Sequence, residues 1–198
     1  MLAALRILGR GICCDDVCQM SLMSESTVYT TFHTCFECLA GELYHRHVSL
    51  PTGTAQQKAM AEYDQLGCSG AIGSTDVTHI KWDSFPLSEA NAHTGREGYP
   101  TIAFQVTVDH TGRVLSATRG FAGAQSDKTI IRYDSSVQRT RNDPQYTEQT
   151  FKVGRADGSV TELKGNWLVV DNGYHKVRFR AAITPKRIRK ELLAPRVV

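Results

Sequence analysis

The segment at residues 70–82, GAIGSTDVTHIKW, constrains the fold of this chain more than any other. β-Branched residues dominate it and nothing in it suits the interior of a helix, so it predicts a β-strand. Alternation along that strand puts Asp76 on one face and Val77 and His79 on the other. A carboxylate in the middle of a strand is expected to have a cation, a cluster of donors or a metal ion as its partner.

A second strand, much later in the chain, is also predicted to end at a carboxylate. Residues 166–171, NWLVVD, form a nearly continuous apolar run that closes on Asp171, and the Asn-Gly pair after it predicts a turn. Carboxylate oxygens are the ligands that hard divalent ions prefer. Two buried strands that each deliver one aspartate therefore predict a divalent-metal site at Asp76 and Asp171.

The composition is that of an ordinary folded domain with a mild basic bias. Of the 198 residues, 41% are hydrophobic and 22% are charged, and the net charge is +3. Basic residues crowd the C-terminal stretch after residue 175, which suits nucleic acid, a nuclear-import address or simply a solvated end. No apolar run has membrane-spanning length and no secretory signal is present, so we expect a nuclear or cytoplasmic protein that is not secreted.

Two domains are predicted, a helical segment at residues 1–66 and a β-rich domain at residues 67–198. A short helix, a tight turn and a longer helix capped by Ser24 outline a helix-turn-helix. In such a motif the polar residues Ser24, Ser26 and Thr27, at the start of the second helix, would meet DNA. A helical hairpin packed on the larger domain explains the same pattern, and the turn lacks a glycine.

Cysteines in the helical segment allow a different interpretation. Cys35 and Cys38, together with Cys14 or Cys18, have a spacing that a zinc site could use. Small thiols are also common in helices that pack against their neighbours. In a cytosolic or nuclear protein all six cysteines of the chain are expected to be reduced.

The β-rich region predicts strands joined in a meander. Residues 99–109 and 113–120 read as two strands joined by His110-Thr111-Gly112, a hairpin connection that makes them antiparallel. Ile102, Phe104, Val106 and Val108 share one face of the first of these strands. Ser126 or Asp127 is predicted to cap a helix, residues 132–147 are predicted to be irregular, and residues 151–163 predict a small hairpin. Three strands in a meander, a helix and a fourth strand bearing an acid are the order of a ribonuclease-H-like domain of the α/β (α+β) class with a mixed sheet.

Four stretches carry a resemblance to a known family. GCSGAIGSTDVTHIKW, REGYPTIAFQVTVDHTGRVLSATRGFAGAQSDKTIIRYD and LKGNWLVVDNGYHK resemble the catalytic domain of PIF/Harbinger-type transposases and their domesticated nuclease relatives. The likeness is greatest to the plant-transposon-protein branch. DDVCQMSLMSESTVYTTFHTCFECLA resembles the family's DNA-binding segment, and the resemblance covers residues 15–176.

The resemblance implies a DDE-type carboxylate triad that binds Mg²⁺ or Mn²⁺ and acts on DNA. Asp76 matches the first acid, in an Asp-x-Thr-His motif, and Asp171 matches the second, in an Asp-x-Gly-Tyr motif. Asp127 also matches a family motif, which makes it a candidate metal neighbour, although capping of a helix explains it equally. Lys128 and Arg119 are candidates for phosphate contacts. His79 is interpreted as a core histidine, since it lies on the strand face opposite Asp76.

The sequence differs from the family pattern at the third acid. It is a glutamate on a later helix in a Val-Glu-x-x-Phe-like context, and the end of this sequence, ITPKRIRKELLAPRVV, has no such motif. Glu191 is the only carboxylate downstream, and its surroundings do not match. We expect a truncated copy or a drifted tail rather than a substitution by Glu191, and hence weak metal binding and poor strand cleavage.

Two functions of different classes follow from these patterns. The first is a transposase-derived, divalent-metal-dependent DNA endonuclease or strand-transfer domain, impaired by the missing third acid. The alternative is a non-catalytic module that binds DNA or a protein partner through the helical front; a fragment without function is a third outcome. The family pattern also allows a separate DNA-binding partner protein.

Overall fold

The computed structural model describes residues 2–154 and 158–171, and the backbone of residues 182–183. Its contacts divide the chain into two units, Met1–Ser49 and Leu50–Val198. This division precedes the change of composition at residue 67 by one helix, because α5 (Gly53–Gln65) packs against strand β1 (Ala71–Lys81). In the described part of the chain, no helix is long and apolar enough to cross a membrane.

The first unit is helical, as its sequence predicts. It contains α1 (Leu2–Arg10), α2 (Cys14–Ser21), α3 (Glu25–Cys38), a π-helical turn (Leu39–Leu43) and α4 (Tyr44–His47). Helices α1 and α2 both pack on α3, and Ala4, Val17 and Val28 are buried between them. Ser24 is the N-cap of α3, as predicted, since its hydroxyl accepts a hydrogen bond from the Thr27 N–H (3.3 Å).

The turn between α2 and α3 depends on Leu22 in a left-handed conformation. Its backbone has φ 53° and ψ 25°, and its side chain is 94% exposed. Only glycine adopts this region freely, and a residue with a Cβ loses roughly 1–2 kcal/mol there. The turn thus adopts a backbone conformation that favours glycine, although a leucine occupies this position.

We expect Leu22→Gly to raise the free energy of unfolding by roughly 1 kcal/mol, because the strain is relieved and almost no buried surface is lost. Chemical denaturation followed by far-UV circular dichroism measures the change. Leu66→Gly is the matched control, because Leu66 is also exposed (66%) but has φ −83°. Glycine at Leu66 should lower stability, and a shift of both variants in the same direction would refute this account of the turn.

The second unit is built on a mixed sheet. Its strands are β1 (Ala71–Lys81), β2 (Thr101–Val108), β3 (Val114–Ala117), β4 (Phe121–Ala122), β7 (Trp167–Val169) and β8 (Ala182–Ile183). The order is β3-β2-β1-β7-β8, with β4 also beside β2. Strands β1, β2 and β3 pair antiparallel, whereas β7 is parallel to β1 and β8 is parallel to β7. A meander followed by parallel strands confirms the predicted ribonuclease-H-like class.

Helices and a small hairpin fill the connections. They are a 3₁₀ turn (Leu87–Glu89), α6 (Ala90–His93), α7 (Asp127–Tyr133), α8 (Ser135–Asn142), α9 (Pro144–Thr147), and the pair β5 (Thr150–Gly154) and β6 (Val160–Lys164). The helix predicted near Asp127 and the hairpin are confirmed. The prediction that residues 132–147 are irregular is wrong, because Asp134 and Asp143 cap two helices there.

The apolar face of β2 is, unexpectedly, the less buried of its two faces. Ile102, Phe104, Val106 and Val108 do share a face, but they are only half-buried, whereas the opposite face is fully buried. That buried face includes two polar residues that share one hydrogen-bond acceptor on β1. Gln105 Nε2 (2.7 Å) and Thr107 Oγ1 (3.0 Å) both donate to Thr75 Oγ1. The apolar stripe therefore lies on the same side of the sheet as Asp76, which pairs with Val106.

A buried network of side-chain amides joins α5 to the residues where β1 and β7 begin. Gln56 Nε2 donates to Asn166 Oδ1 (2.7 Å) and to the carbonyl oxygen of Gln145 (3.1 Å). Asn166 Nδ2 donates in turn to the carbonyl oxygen of Gly70 (3.0 Å). Gly70 directly precedes β1 and Asn166 directly precedes β7, so these bonds fix where the two parallel strands begin relative to each other.

Asp134, the cap of α8, is a buried acid whose titration should affect stability. It is 1% exposed, its Oδ1 accepts bonds from the N–H groups of Ser136 and Val137, and its Oδ2 has no partner among the described residues. Burial raises the pKa of Asp134 above its ordinary value. The folded state therefore favours the protonated acid, and the resulting stability is present below the ordinary pKa and lost as pH rises through the raised one.

Asp134→Asn is expected to prevent this loss of stability at neutral pH. The amide can still cap α8, but it carries no charge whose burial costs free energy. The variant should be more stable than the parent at pH 7 by about 1 kcal/mol, because a neutral amide is less costly to bury than a carboxylate. Denaturation at several pH values between 4 and 7 measures the difference. A difference that is constant across that range would contradict desolvation as its cause.

Candidate active site

The site predicted at two strands is assembled by their parallel pairing. In the register of β1 and β7, Ser74 lies opposite Val169. Asp76 comes two residues later in β1, and Asp171 comes two residues past the end of β7, the neighbouring strand that runs in the same direction. Neighbouring strands are about 4.8 Å apart, so two side chains on the same face at this distance can converge on one ligand.

Both aspartates line one open cleft of about 560 Å³. The rest of its lining comes from the middle of β1, from β2 and from the end of β7: Ser74, Thr75, Val77, Thr78, Val106, Val108, Val169 and Val170. The cleft thus lies on the sheet face that carries the half-buried apolar stripe. The structure brings together Asp76 and Asp171, which sequence reasoning paired.

The environment of the two acids differs from the sequence expectation in one respect. Both were expected on buried strands, but Asp76 and Asp171 are exposed to solvent, and the buried side of β1 is the one that carries Thr75. Asp76 Oδ1 accepts a hydrogen bond from the N–H of Val77 (2.9 Å). Both side chains are therefore accessible to solvent, unlike a buried carboxylate, which would need an internal counter-charge.

The donor atoms in the cleft suit a hard divalent ion. Mg²⁺ keeps several waters and takes one or two protein carboxylates, which an open cleft with Asp76 and Asp171 can supply. Hydroxyls of Ser74 and Thr78 add further oxygen atoms to the lining. Among the described residues, no group of three or more His, Cys, Asp or Glu could hold a metal ion, and this includes the cysteines of α2 and α3. The zinc alternative therefore has no support within those residues, and a third acid is not found there.

Asp127 does not line the cleft. It is the first residue of α7. Its charge helps to raise the pKa of Arg96, after the larger effect of the hydrogen bond between Arg96 and Glu97. A role for Asp127 beside a metal ion stays a prediction.

A contribution that the sequence did not reveal comes from α5. The hydroxyl of Tyr63 lies 3.0 Å from Ser74 Oγ, which lines the cleft. Tyr63 is buried, and burial raises the pKa of its phenol. The hydroxyl therefore keeps its proton at neutral pH, and it braces the part of β1 that precedes Asp76.

The remaining predicted residues lie outside the cleft. Ser24, Ser26 and Thr27 are exposed in the first turn of α3, in the helical unit. Lys128 is exposed on α7, and Arg119 lies with its guanidinium 5.9 Å from the centre of the Phe121 ring. Their contacts with DNA stay predictions.

His79 and Glu191 complete the comparison with the sequence predictions. His79 is half-buried and its Nδ1 lies 3.0 Å from the hydroxyl of Thr101, a buried residue. This confirms the interpretation of His79 as a core histidine on the face opposite Asp76. Glu191 and the basic tail lie outside the described residues.

Comparisons with known proteins give an independent line of evidence. A family model described as DDE superfamily endonuclease matches residues 75–195. No curated protein matches the chain, and no solved structure does. The matched segment covers more than half of the sequence, begins one residue before Asp76 and includes Asp127 and Asp171. This chain belongs to the DDE superfamily of endonucleases.

Proposed function

We propose that the chain is a transposase-derived DNA endonuclease of the PIF/Harbinger type that binds Mg²⁺ or Mn²⁺ at Asp76 and Asp171. The observation that carries this proposal is that Asp76, in β1, and Asp171, two residues past the end of the parallel strand β7, line the same open cleft. The family match agrees with it, because a DDE endonuclease acts on DNA through carboxylates. Since its substrate is DNA, we also propose that it works in the nucleus.

In this reaction, the role of the chain is to position the two negatively charged carboxylates. Backbone pairing between β1 and β7 fixes the strand that carries Asp76 beside the strand that leads into Asp171. Both side chains are exposed, so a ligand in the cleft can reach them from solvent. A bound divalent ion supplies an activated water and neutralises charge on the leaving oxygen.

We expect the cleavage to be slow. Two carboxylates, Asp76 and Asp171, line the cleft in the described part of the chain, whereas a DDE site takes its name from three. Asp127, the first residue of α7, is the further acid that matches a family motif. It is proposed here as a neighbour that adds negative charge to the site, and Glu191 is not proposed as the third acid.

Nicking of supercoiled plasmid DNA by the purified full-length chain tests the proposal. The expected result is nicking that needs Mg²⁺ or Mn²⁺ and stops when EDTA is added. The alternative is a non-catalytic module, which the exposed polar start of α3 favours, with Ser24, Ser26 and Thr27 proposed as its DNA contacts. DNA binding without metal-dependent nicking would overturn the nuclease proposal and support that module.

A further inference from the structure

Ser74 is a polar residue of the cleft that lies beside the first acid. It comes two positions before Asp76, so alternation along β1 puts both side chains on the same face of the sheet. In the pairing with β2, Ser74 lies opposite Val108 and Asp76 lies opposite Val106, and all four residues line the cleft. The hydroxyl of Ser74 therefore belongs to the same surface as the carboxylate of Asp76.

Tyr63 of α5 is the hydrogen-bond partner that the described residues offer to this hydroxyl. The two oxygen atoms are 3.0 Å apart. Tyr63 is buried, whereas Ser74 is half-buried in the lining of an open cleft. The ring of His110 packs edge-on against the ring of Tyr63, with 6.4 Å between their centres, which further restricts the phenol.

Burial decides which of the two hydroxyls donates. If Ser74 donated, the phenol proton of Tyr63 would be left buried without an acceptor, which is costly and rare in proteins. If Tyr63 donates, the remaining proton is that of Ser74, and water or a ligand in the cleft can accept it. The second arrangement leaves no buried donor unsatisfied. Tyr63 is therefore the donor, and the proton of Ser74 is available to the cleft.

We propose that Ser74 is a substrate-binding residue, whose hydroxyl donates a hydrogen bond to a non-bridging oxygen of a DNA phosphate beside Asp76, and that Tyr63 positions this hydroxyl. This inference rests on the proposed nuclease function. Serine hydroxyls are frequent donors to DNA phosphates. A hydroxyl that accepts a hydrogen bond from a phenol is a stronger donor, because hydrogen bonds in a chain polarise one another. A neutral donor can also share the cleft with a divalent ion without repelling it.

DNA affinity with and without metal tests this role. Fluorescence anisotropy of a labelled DNA duplex with the full-length chain is measured in Mg²⁺ and, separately, in EDTA. In EDTA the two carboxylates of the cleft repel a phosphate, so binding reports contacts elsewhere on the chain. Ser74→Ala should weaken binding about 10-fold in Mg²⁺, as expected for a lost hydrogen bond to a charged group, and leave binding in EDTA unchanged. Ser74→Thr keeps a hydroxyl and should bind nearly as the parent does.

Ser69→Ala is the matched control. The hydroxyl of Ser69 also hydrogen-bonds to a residue of α5, Asp64, but Ser69 does not line the cleft. Both substitutions thus remove a serine hydroxyl that contacts α5, and only Ser74→Ala removes one from the cleft. Ser69→Ala should bind DNA as the parent does. Equal affinities of Ser74→Ala and Ser69→Ala in Mg²⁺ would overturn the inference, and so would a loss in Ser74→Ala that is equally large in EDTA.

Tyr63→Phe tests the positioning role separately. It keeps the buried ring and removes the hydroxyl that holds Ser74. The Mg²⁺-dependent affinity should fall, but by less than in Ser74→Ala, because Ser74 can still donate without being held in place. Circular dichroism should show the variant folded like the parent. An affinity equal to that of the parent in Mg²⁺ would refute the role of Tyr63.

Nicking assays on the same proteins separate this inference from the proposed function. If the parent nicks DNA and Ser74→Ala binds and nicks as the parent does, the role of Ser74 is refuted and the nuclease function stands. If the parent does not nick DNA but Ser74→Ala weakens its Mg²⁺-dependent binding, the nuclease function is refuted and Ser74 remains a phosphate-binding residue. A parent that binds DNA equally well in Mg²⁺ and in EDTA refutes the role of Ser74, whatever its nicking activity.

Discussion

Asp76→Asn is expected to lower metal-dependent nicking of DNA by roughly 100-fold or more, a loss typical of removing one charge-stabilising group from an active site. The amide keeps the size of the side chain and can still accept the hydrogen bond from the Val77 N–H. It loses the negative charge that a divalent ion requires. Asp171→Asn should have the same effect, because both carboxylates line the cleft.

Two further measurements make this prediction specific. Titration with Mn²⁺ should show weaker metal binding in both variants, a result that does not depend on nicking. The free energy of unfolding should change by less than about 0.5 kcal/mol, because both side chains are exposed. Asp83→Asn is the control, since it removes the same charge from an exposed aspartate that pairs with Lys81 and lies outside the cleft lining. Equal nicking by Asp76→Asn and Asp83→Asn would contradict the assignment of the site.

The largest expected loss of stability is that of Gly123→Ala, at about 3 kcal/mol. Gly123 is buried between β4 and α7. A Cβ at this position would lie 2.5 Å from the carbonyl oxygens of His93 and Thr101, and closer still to the hydroxyl of Thr101. Two of these atoms belong to the backbone, so no flexible side chain can move aside.

Chemical denaturation of Gly123→Ala and Gly154→Ala measures this effect against a matched control. Gly154 ends β5, and a Cβ there would meet nothing within 4 Å. Gly154→Ala should therefore be within about 0.5 kcal/mol of the parent. Similar stabilities for the two variants would show that the backbone around Gly123 relaxes freely.

The strands at the site were predictable because their sequences are compatible with only one type of secondary structure. β1 was expected at residues 70–82 and lies at Ala71–Lys81, since a run of β-branched residues around Asp76 suits no other element. The helices at residues 135–147 were not predicted, because few of their residues are apolar. The caps of these helices could have been recognised in the sequence. Asp134 precedes α8, and Asp143 precedes α9, which begins with Pro144.

The pairing of the two acids was predictable, but their surroundings were not. Asp76 and Asp171 could be paired because one lies on a recognisable strand and the other closes the apolar run that contains β7. The burial of the polar side of β2 depends on hydrogen bonds among Gln105, Thr107 and Thr75, which no periodicity in a single segment reveals.

The pairing of β1 with β7 also affects when the site can exist during synthesis. The bond from Asn166 to Gly70, which aligns the two strands, joins residues separated by 96 positions. A ribosome adds about 5–20 residues per second, so several seconds separate the emergence of the first acid from that of the second. During that interval the growing chain exposes one lone carboxylate and has no complete cleft. If the chain cleaves DNA as proposed, we therefore expect cleavage at this site only after the residues that follow β7 have been made.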